Sequence, residues 1–164
     1  MLGKITDVEN IEKDVSMKLS GEQLLPCSID KAWDYLMDRA ILQACIPGCQ
    51  TLTQSSPDTF SAVVAVKVGP VKATFNGDVR LSDLNPPYSC RISGKGQGGI
   101  AGFAEGGATM NLTAEGEMTK LSYDADTLVG GKLAQLGTRL IDSTARKLAL
   151  DFFEKLQARI AASA

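Results

Sequence analysis

The residues that most often do chemistry are sparse in this chain, and those present lack the partners that would activate them. There is no histidine, which removes the usual general base near neutral pH, every Ser-His or Cys-His nucleophile pair and most metal-site chemistry. The four cysteines are Cys27, Cys45, Cys49 and Cys90. Cys45 and Cys49 are close enough to face one metal, but a structural zinc site needs four ligands and no second pair stands nearby. Their number and uneven spread do not suit the disulfide framework of a small secreted domain. They read as reduced thiols acting as small buried hydrophobes.

Paired carboxylates for acid-base catalysis would have to share a cleft. Asp78, Asp124 and Asp126 instead fall in the outward phase of alternating segments, where they are most simply solvated surface charges. No residue is therefore assigned a catalytic or metal-binding role.

Between Gly94 and Gly107 half of the residues are glycine, in GKGQGGIAGFAEGG. A phosphate-binding loop ends in Gly-Lys-Ser/Thr or otherwise opens a helix after a parallel strand, whereas this run joins two antiparallel strands. A sharply bent hairpin is the better reading. Small residues Ala73, Gly77, Gly94 and Gly96 fall among Phe60, Phe75, Val79 and Phe103 on inward faces, so a bend there would leave volume beneath it. The expectation is an apolar ligand cavity, with a fully packed interior as the alternative.

The elements that must position these residues are legible as periodicities. MKLSGEQLL at 17–25 reads as a strand ended by Pro26, and Ser28 is a good N-cap for a short helix carrying Trp33, Leu36 and Met37. A second short helix over 39–45 stops at Ile46-Pro47-Gly48. Strict alternation then marks Val71 to Leu81; Phe60, Ala62, Val64, Val66 and Val68 precede it in the same register, joined to it at Gly69-Pro70, and a turn follows at Asn85-Pro86-Pro87. Further strands are predicted at 88–96, 103–116 and 120–129, for six or seven in all. After Gly130-Gly131 the period becomes helical to the C-terminus, with Leu133, Leu136, Leu140, Leu148, Phe152 and Leu156 on one face. Lys132, Arg139 and Arg146 recur every seven residues along this run. Such a stripe can attract an anionic membrane, although an ordinary solvated helix face explains it more simply.

At 164 residues and 17.4 kDa the chain has the size of one domain. Residues 1–16 read as an N-terminal extension, expression remnant or upstream start, and 17–164 as the domain. A net charge of −2 offers no bulk attraction for phosphates, which argues against nucleic acid. No apolar run approaches the roughly 20 residues that cross a bilayer, and no signal peptide is recognisable. The expected location is the cytoplasm.

With these segments placed, MKLSGEQLLP at 17–26, CIPGC at 45–49 and above all VGGKLAQLGTRLID at 129–142 resemble the CoxG-like family, the G-subunits of carbon monoxide dehydrogenase. The resemblance runs from Met17 to about Ala162. It implies an α+β, Bet v 1-like helix-grip fold of the SRPBCC superfamily. Such a fold has a curved seven-stranded antiparallel sheet around a long C-terminal helix, with two short helices after strand one. It also implies a non-catalytic accessory role beside an aerobic molybdenum-containing carbon monoxide dehydrogenase or related hydroxylase. A hydrophobic ligand such as a quinone or other isoprenoid, and peripheral contact with the inner face of the cell membrane, belong to the same implication. No other cofactor is implied.

The residues expected to line the cavity are Trp33, Phe60, Phe75, Phe103, Met110, Tyr123, Leu133, Leu136 and Leu140, with the Tyr123 hydroxyl orienting a polar headgroup. Gly69-Pro70 and Gly98-Gly99 are the expected entrance loops. The rival readings are a ligand-free assembly or maturation factor, and an SRPBCC-fold enzyme such as a cyclase with a perturbed acid or base in its pocket.

Overall fold

The computed structural model describes residues 14–163; of the expected extension over residues 1–16, residues 1–13 lie outside the described residues. Strand β1 (Val15–Leu25) leads into helices α1 (Ile29–Leu36) and α2 (Arg39–Cys45). Six more strands follow: β2 (Cys49–Ser56), β3 (Thr59–Val68), β4 (Val71–Asn85), β5 (Ser89–Gln97), β6 (Phe103–Glu115) and β7 (Met118–Gly130). Helix α3 (Thr138–Ala162) closes the chain. All seven strands form one antiparallel sheet in the order β1-β7-β6-β5-β4-β3-β2. One sheet and one long helix, each with a single apolar face, bury those faces against each other.

Local chemistry explains the element ends. Ser28 caps α1 by accepting from the Lys31 amide at 3.4 Å, and Asp38 caps α2 by accepting from the Ile41 amide at 3.1 Å. In β4, residues 71–81 alternate between half-buried and exposed, as the apolar-polar alternation requires. The predicted hairpin at Gly69-Pro70 joins β3 to β4, bringing Val68 opposite Val71.

Three boundaries differ from the sequence reading. First, β1 begins at Val15 rather than Met17, with Val15 paired to Val129 and buried. Second, β2 has no apolar alternation to announce it: of CQTLTQSS only Leu52 is buried, because this strand lies at the sheet edge. Third, the helical period after Gly130 is not one helix. Residues Gly131–Leu136 form a 3₁₀ segment, and Gly137, at φ 93°, breaks the chain before α3 starts. At 25 residues α3 is about 37 Å long. Lys132 therefore stands on the 3₁₀ segment, and its heptad relation to Arg139 and Arg146 does not make a helix stripe.

The interior divides along the strand direction into two apolar clusters. One gathers Leu25, Trp33, Leu36, Met110, Leu121, Phe153 and Leu156 beneath α1 and α2. The other gathers Val15, Met17, Val68, Ala101, Val129, Leu133 and Ile141 at the opposite end, where the β3–β4 turn, the β5–β6 loop and the 3₁₀ segment meet. Thr119 is the buried polar side chain of the first cluster's end, and its hydroxyl donates to the Cys27 carbonyl at 2.9 Å.

Candidate functional site: an apolar cavity under the long helix

The cavity sits in the first half, between the sheet and α3, with a volume of about 460 Å³. Its roof comes from Leu36 of α1 and Met37 at its C-cap, with Leu42 of α2 and Ile46 at the C-cap of α2. Its floor is the inner sheet face, where Phe60, Ala62 and Val64 of β3 continue into Val79 and Leu81 of β4 and then Ile92 of β5. Ala108 and Met110 of β6 and Leu121 and Tyr123 of β7 complete the floor, and Ala149, Phe152 and Phe153 of α3 close the remaining side. Every lining side chain is apolar except the tyrosine.

The void has an identifiable origin. Ala62, Ala108 and Ala149 come from three different elements and all face it, so a methyl group stands at each place where a larger side chain would fill the space. The aromatic side is rigid: Tyr123 stacks on Phe153 with ring centroids 5.5 Å apart, and Phe152 meets Phe153 edge-on at 5.1 Å. The Tyr123 hydroxyl lies over Gly21, its cross-strand partner on β1, so close that a Cβ added at Gly21 would fall 2.7 Å from the oxygen. Any headgroup oriented by that hydroxyl has to lie on the β1 side of the site.

Of the expected lining residues, Phe60, Met110 and Tyr123 stand on the cavity wall. Trp33 is buried in the surrounding cluster without being part of the wall. The other five lie in the opposite half. Leu133, Leu136 and Leu140 pack with Val68 and Ile141. The Phe103 ring covers Gly130. The Phe75 ring lies under the glycine-rich bend, 2.8 Å from where Gly98 would carry a Cβ. The volume expected beneath that bend is thus filled by Phe75. Likewise Gly69-Pro70 and Gly98-Gly99 do not border the cavity; Gly69 abuts Leu140. A period of two assigns a residue to a face and leaves its place along the strand open. The aromatic pair Phe152-Phe153 and the three alanines were the available signals for where the cavity lies.

Asp78, Asp124 and Asp126 are exposed. Asp78 and Asp126 border a wider groove of about 780 Å³ on the outer sheet face, together with Arg80, Arg91, Lys95 and Glu105. That groove is more open to water and mixed in charge, so it desolvates a ligand less than the apolar cavity does. Cys27, Cys45 and Cys90 are buried, and loss of hydration pushes each thiol above its ordinary 9.0. Lys31 opposes the shift at Cys27, and Arg159 and Lys155 oppose it at Cys45.

A curved antiparallel sheet gripping a C-terminal helix, with two short helices after the first strand, defines the Bet v 1-like helix-grip fold of START-type proteins. Within that class, the chain belongs to the CoxG family, the G-subunits of carbon monoxide dehydrogenase, whose profile matches residues 21–161. A conserved protein from Geobacillus kaustophilus has a similar structure at 33% identity and TM-score 0.84, the match covering 90% of this chain and 97% of that one. A START superfamily protein from Mycobacterium smegmatis shares the fold at 13% identity and TM-score 0.69, covering 90% and 99% of the two chains. The ZhuI aromatase/cyclase from Streptomyces sp. R1128 does so at 12% identity and TM-score 0.63, covering 90% and 94%. No curated protein matches the chain.

Proposed function

We propose that this chain is a non-catalytic accessory protein of a carbon monoxide dehydrogenase-type molybdenum hydroxylase. In this reading its cavity holds a hydrophobic ligand, a quinone or another isoprenoid, and the protein helps link the enzyme to the membrane from the cytoplasmic side. The observation that carries the ligand is the apolar, partly open cavity of about 460 Å³, within the range of small-molecule sites. Empty apolar volume forfeits dispersion contacts that a carbon-rich ligand restores. Ligand oxygens placed against this wall would lack hydrogen-bond partners, so the reading places the apolar chain inside and the oxygen-bearing end towards Tyr123 or the rim.

The non-catalytic part rests on the same wall, which carries neither a carboxylate nor an amine to move a proton. Membership of the CoxG family, the G-subunits of carbon monoxide dehydrogenase, supports that enzyme as the partner. No helix among the described residues is long and apolar enough to cross a membrane, and the contact proposed is peripheral.

Native mass spectrometry of the protein purified from its own host, followed by organic extraction, tests the ligand. Co-purification of a quinone or isoprenoid is the expected result. An empty protein that takes up no such molecule on titration, and captures only the dehydrogenase, would replace this reading with that of a ligand-free assembly factor.

A further inference from the structure

The end of the molecule opposite α1 and α2 presents an apolar side chain on a braced loop. Ile100 is 92% exposed, whereas the next most exposed large apolar side chain among the described residues, Tyr88, is 56% exposed. The neighbouring Ala101 is buried among Val68, Leu133 and Ala134, so the loop turns one residue inward and holds the next one out. The loop is braced from within. The Gly98 amide donates to the Gly102 carbonyl at 2.8 Å, and the Ala101 and Gly102 amides donate to the Gly98 and Gly99 carbonyls at 3.2 and 3.1 Å. Gly99 and Gly102 supply the positive φ values, 61° and 113°, that this turn requires. The Phe75 ring supports Gly98 from below, and Gly102 rests on Gly130 and Gly131.

Among the described residues, charge at this end is mainly basic. Lys67 and Lys72 face each other across the β3–β4 hairpin and are exposed. Lys132 follows Gly131, which touches the Ile100 loop, and Arg139 lies in the first turn of α3. None of these four makes an ion pair among the described residues. Among the described residues, Glu105 is paired with Lys95 at 3.8 Å and Asp142 with Arg146 at 2.8 Å, and Asp14 lies beside Gly130. The far end is mixed: Asp30 and Asp34 on α1 and Asp58, Asp83, Glu115 and Glu117 at the strand ends stand with Lys31, Arg39, Lys120, Lys155 and Arg159, and Glu115 is paired with Lys120 at 3.6 Å. A chain of net charge −2 thus has, among the described residues, a basic end tipped with isoleucine and a far end of mixed charge.

We infer that this end is a docking surface for an anionic lipid bilayer, with Ile100 entering the headgroup region and Lys67, Lys72, Lys132 and Arg139 facing lipid phosphates. This deepens the proposed membrane link, on which it rests, by assigning the surface that makes it. Neither contribution is strong alone, since a single exposed apolar side chain is ordinary and surface charges are screened by salt. Here the exposed Ile100 and the basic residues of the β3–β4 hairpin, the 3₁₀ segment and α3 coincide at one end of the molecule.

Co-sedimentation of the full chain with vesicles of phosphatidylcholine, with and without phosphatidylglycerol, tests it. The expected result is salt-sensitive binding that requires phosphatidylglycerol. Ile100→Ala is expected to weaken it by about tenfold, and the Lys67→Glu/Lys72→Glu double variant by about tenfold or more. Melting temperatures matching the wild type show that the variants fold. In parallel, each variant is titrated with a detergent-dispersed quinone, whose binding both are expected to retain. A wild type that stays in the supernatant with phosphatidylglycerol vesicles overturns the docking surface, as does Ile100→Ala binding as tightly as wild type. Vesicle binding without quinone binding would overturn the cavity proposal and leave the docking surface standing.

Discussion

The two halves of the interior use the same seven strands and the same helix, yet one is packed and the other hollow. In the packed half, Leu133 and Ile141 meet Val68, Val129 and Met17, and even the glycine-rich bend is filled by the Phe75 ring. In the hollow half, α1 and α2 hold α3 over the sheet while Ala62, Ala108 and Ala149 leave the centre empty. The contrast shows that a cavity in this fold is made by small side chains converging from distant elements. Glycines in a bend do not suffice when an aromatic ring lies beneath them.

The largest expected effect is in the packed half. Leu133 is 3% exposed, and Leu133→Ala should destabilise the protein by about 2–5 kcal/mol through lost burial and an unrelaxed void. Urea denaturation measures this, and a loss under about 1 kcal/mol would mean that the packed half is as loose as the hollow one.

In the hollow half the direction should change. Ala108→Phe places a ring into the cavity and should alter stability by less than about 1.5 kcal/mol, where the same increase in a packed core costs about 1–3 kcal/mol. It should also abolish binding of a hydrophobic ligand. A strongly destabilised variant would show the void to be smaller or better filled than its geometry.

The smallest effect concerns the buried thiols. Burial raises Cys90 above its ordinary 9.0 in the folded protein, so the folded state holds the proton more tightly than the unfolded chain. The associated stability is complete below pH 9.0 and is lost as pH rises through the folded-state value. Melting temperature should therefore fall above pH 9.0, and Cys90→Ala should make that fall shallower. An identical slope in both proteins would remove Cys90 as a contributor.

Much of this architecture was readable from residue types. Ser28 as a cap, the Gly69-Pro70 hairpin and the alternation from Val71 to Leu81 each have a local physical cause, and the GGKLAQLG segment pointed to the family. The edge strand Cys49–Ser56 was hidden because only Leu52 is buried along it. The break at Gly137 was hidden because Leu133 and Leu136, three residues apart, fit a 3₁₀ turn as well as an α-helix. The site was less readable than the fold. Alternation correctly put Phe75 and Phe60 on the inner face, but their separation along the strand direction, which places one in each half, is set by cross-strand register. Phe75 pairs with Val64, and Phe60 with Val79, and no single strand's pattern carries that pairing.

The most direct test of the hollow half is a quinone titration followed through Trp33, the single tryptophan, which is buried in the cluster around the cavity. Adding a short-chain quinone to the wild type should quench its emission saturably, and Ala108→Phe should abolish the saturable component. Linear, non-saturable quenching of equal slope in both proteins would contradict a ligand-binding cavity.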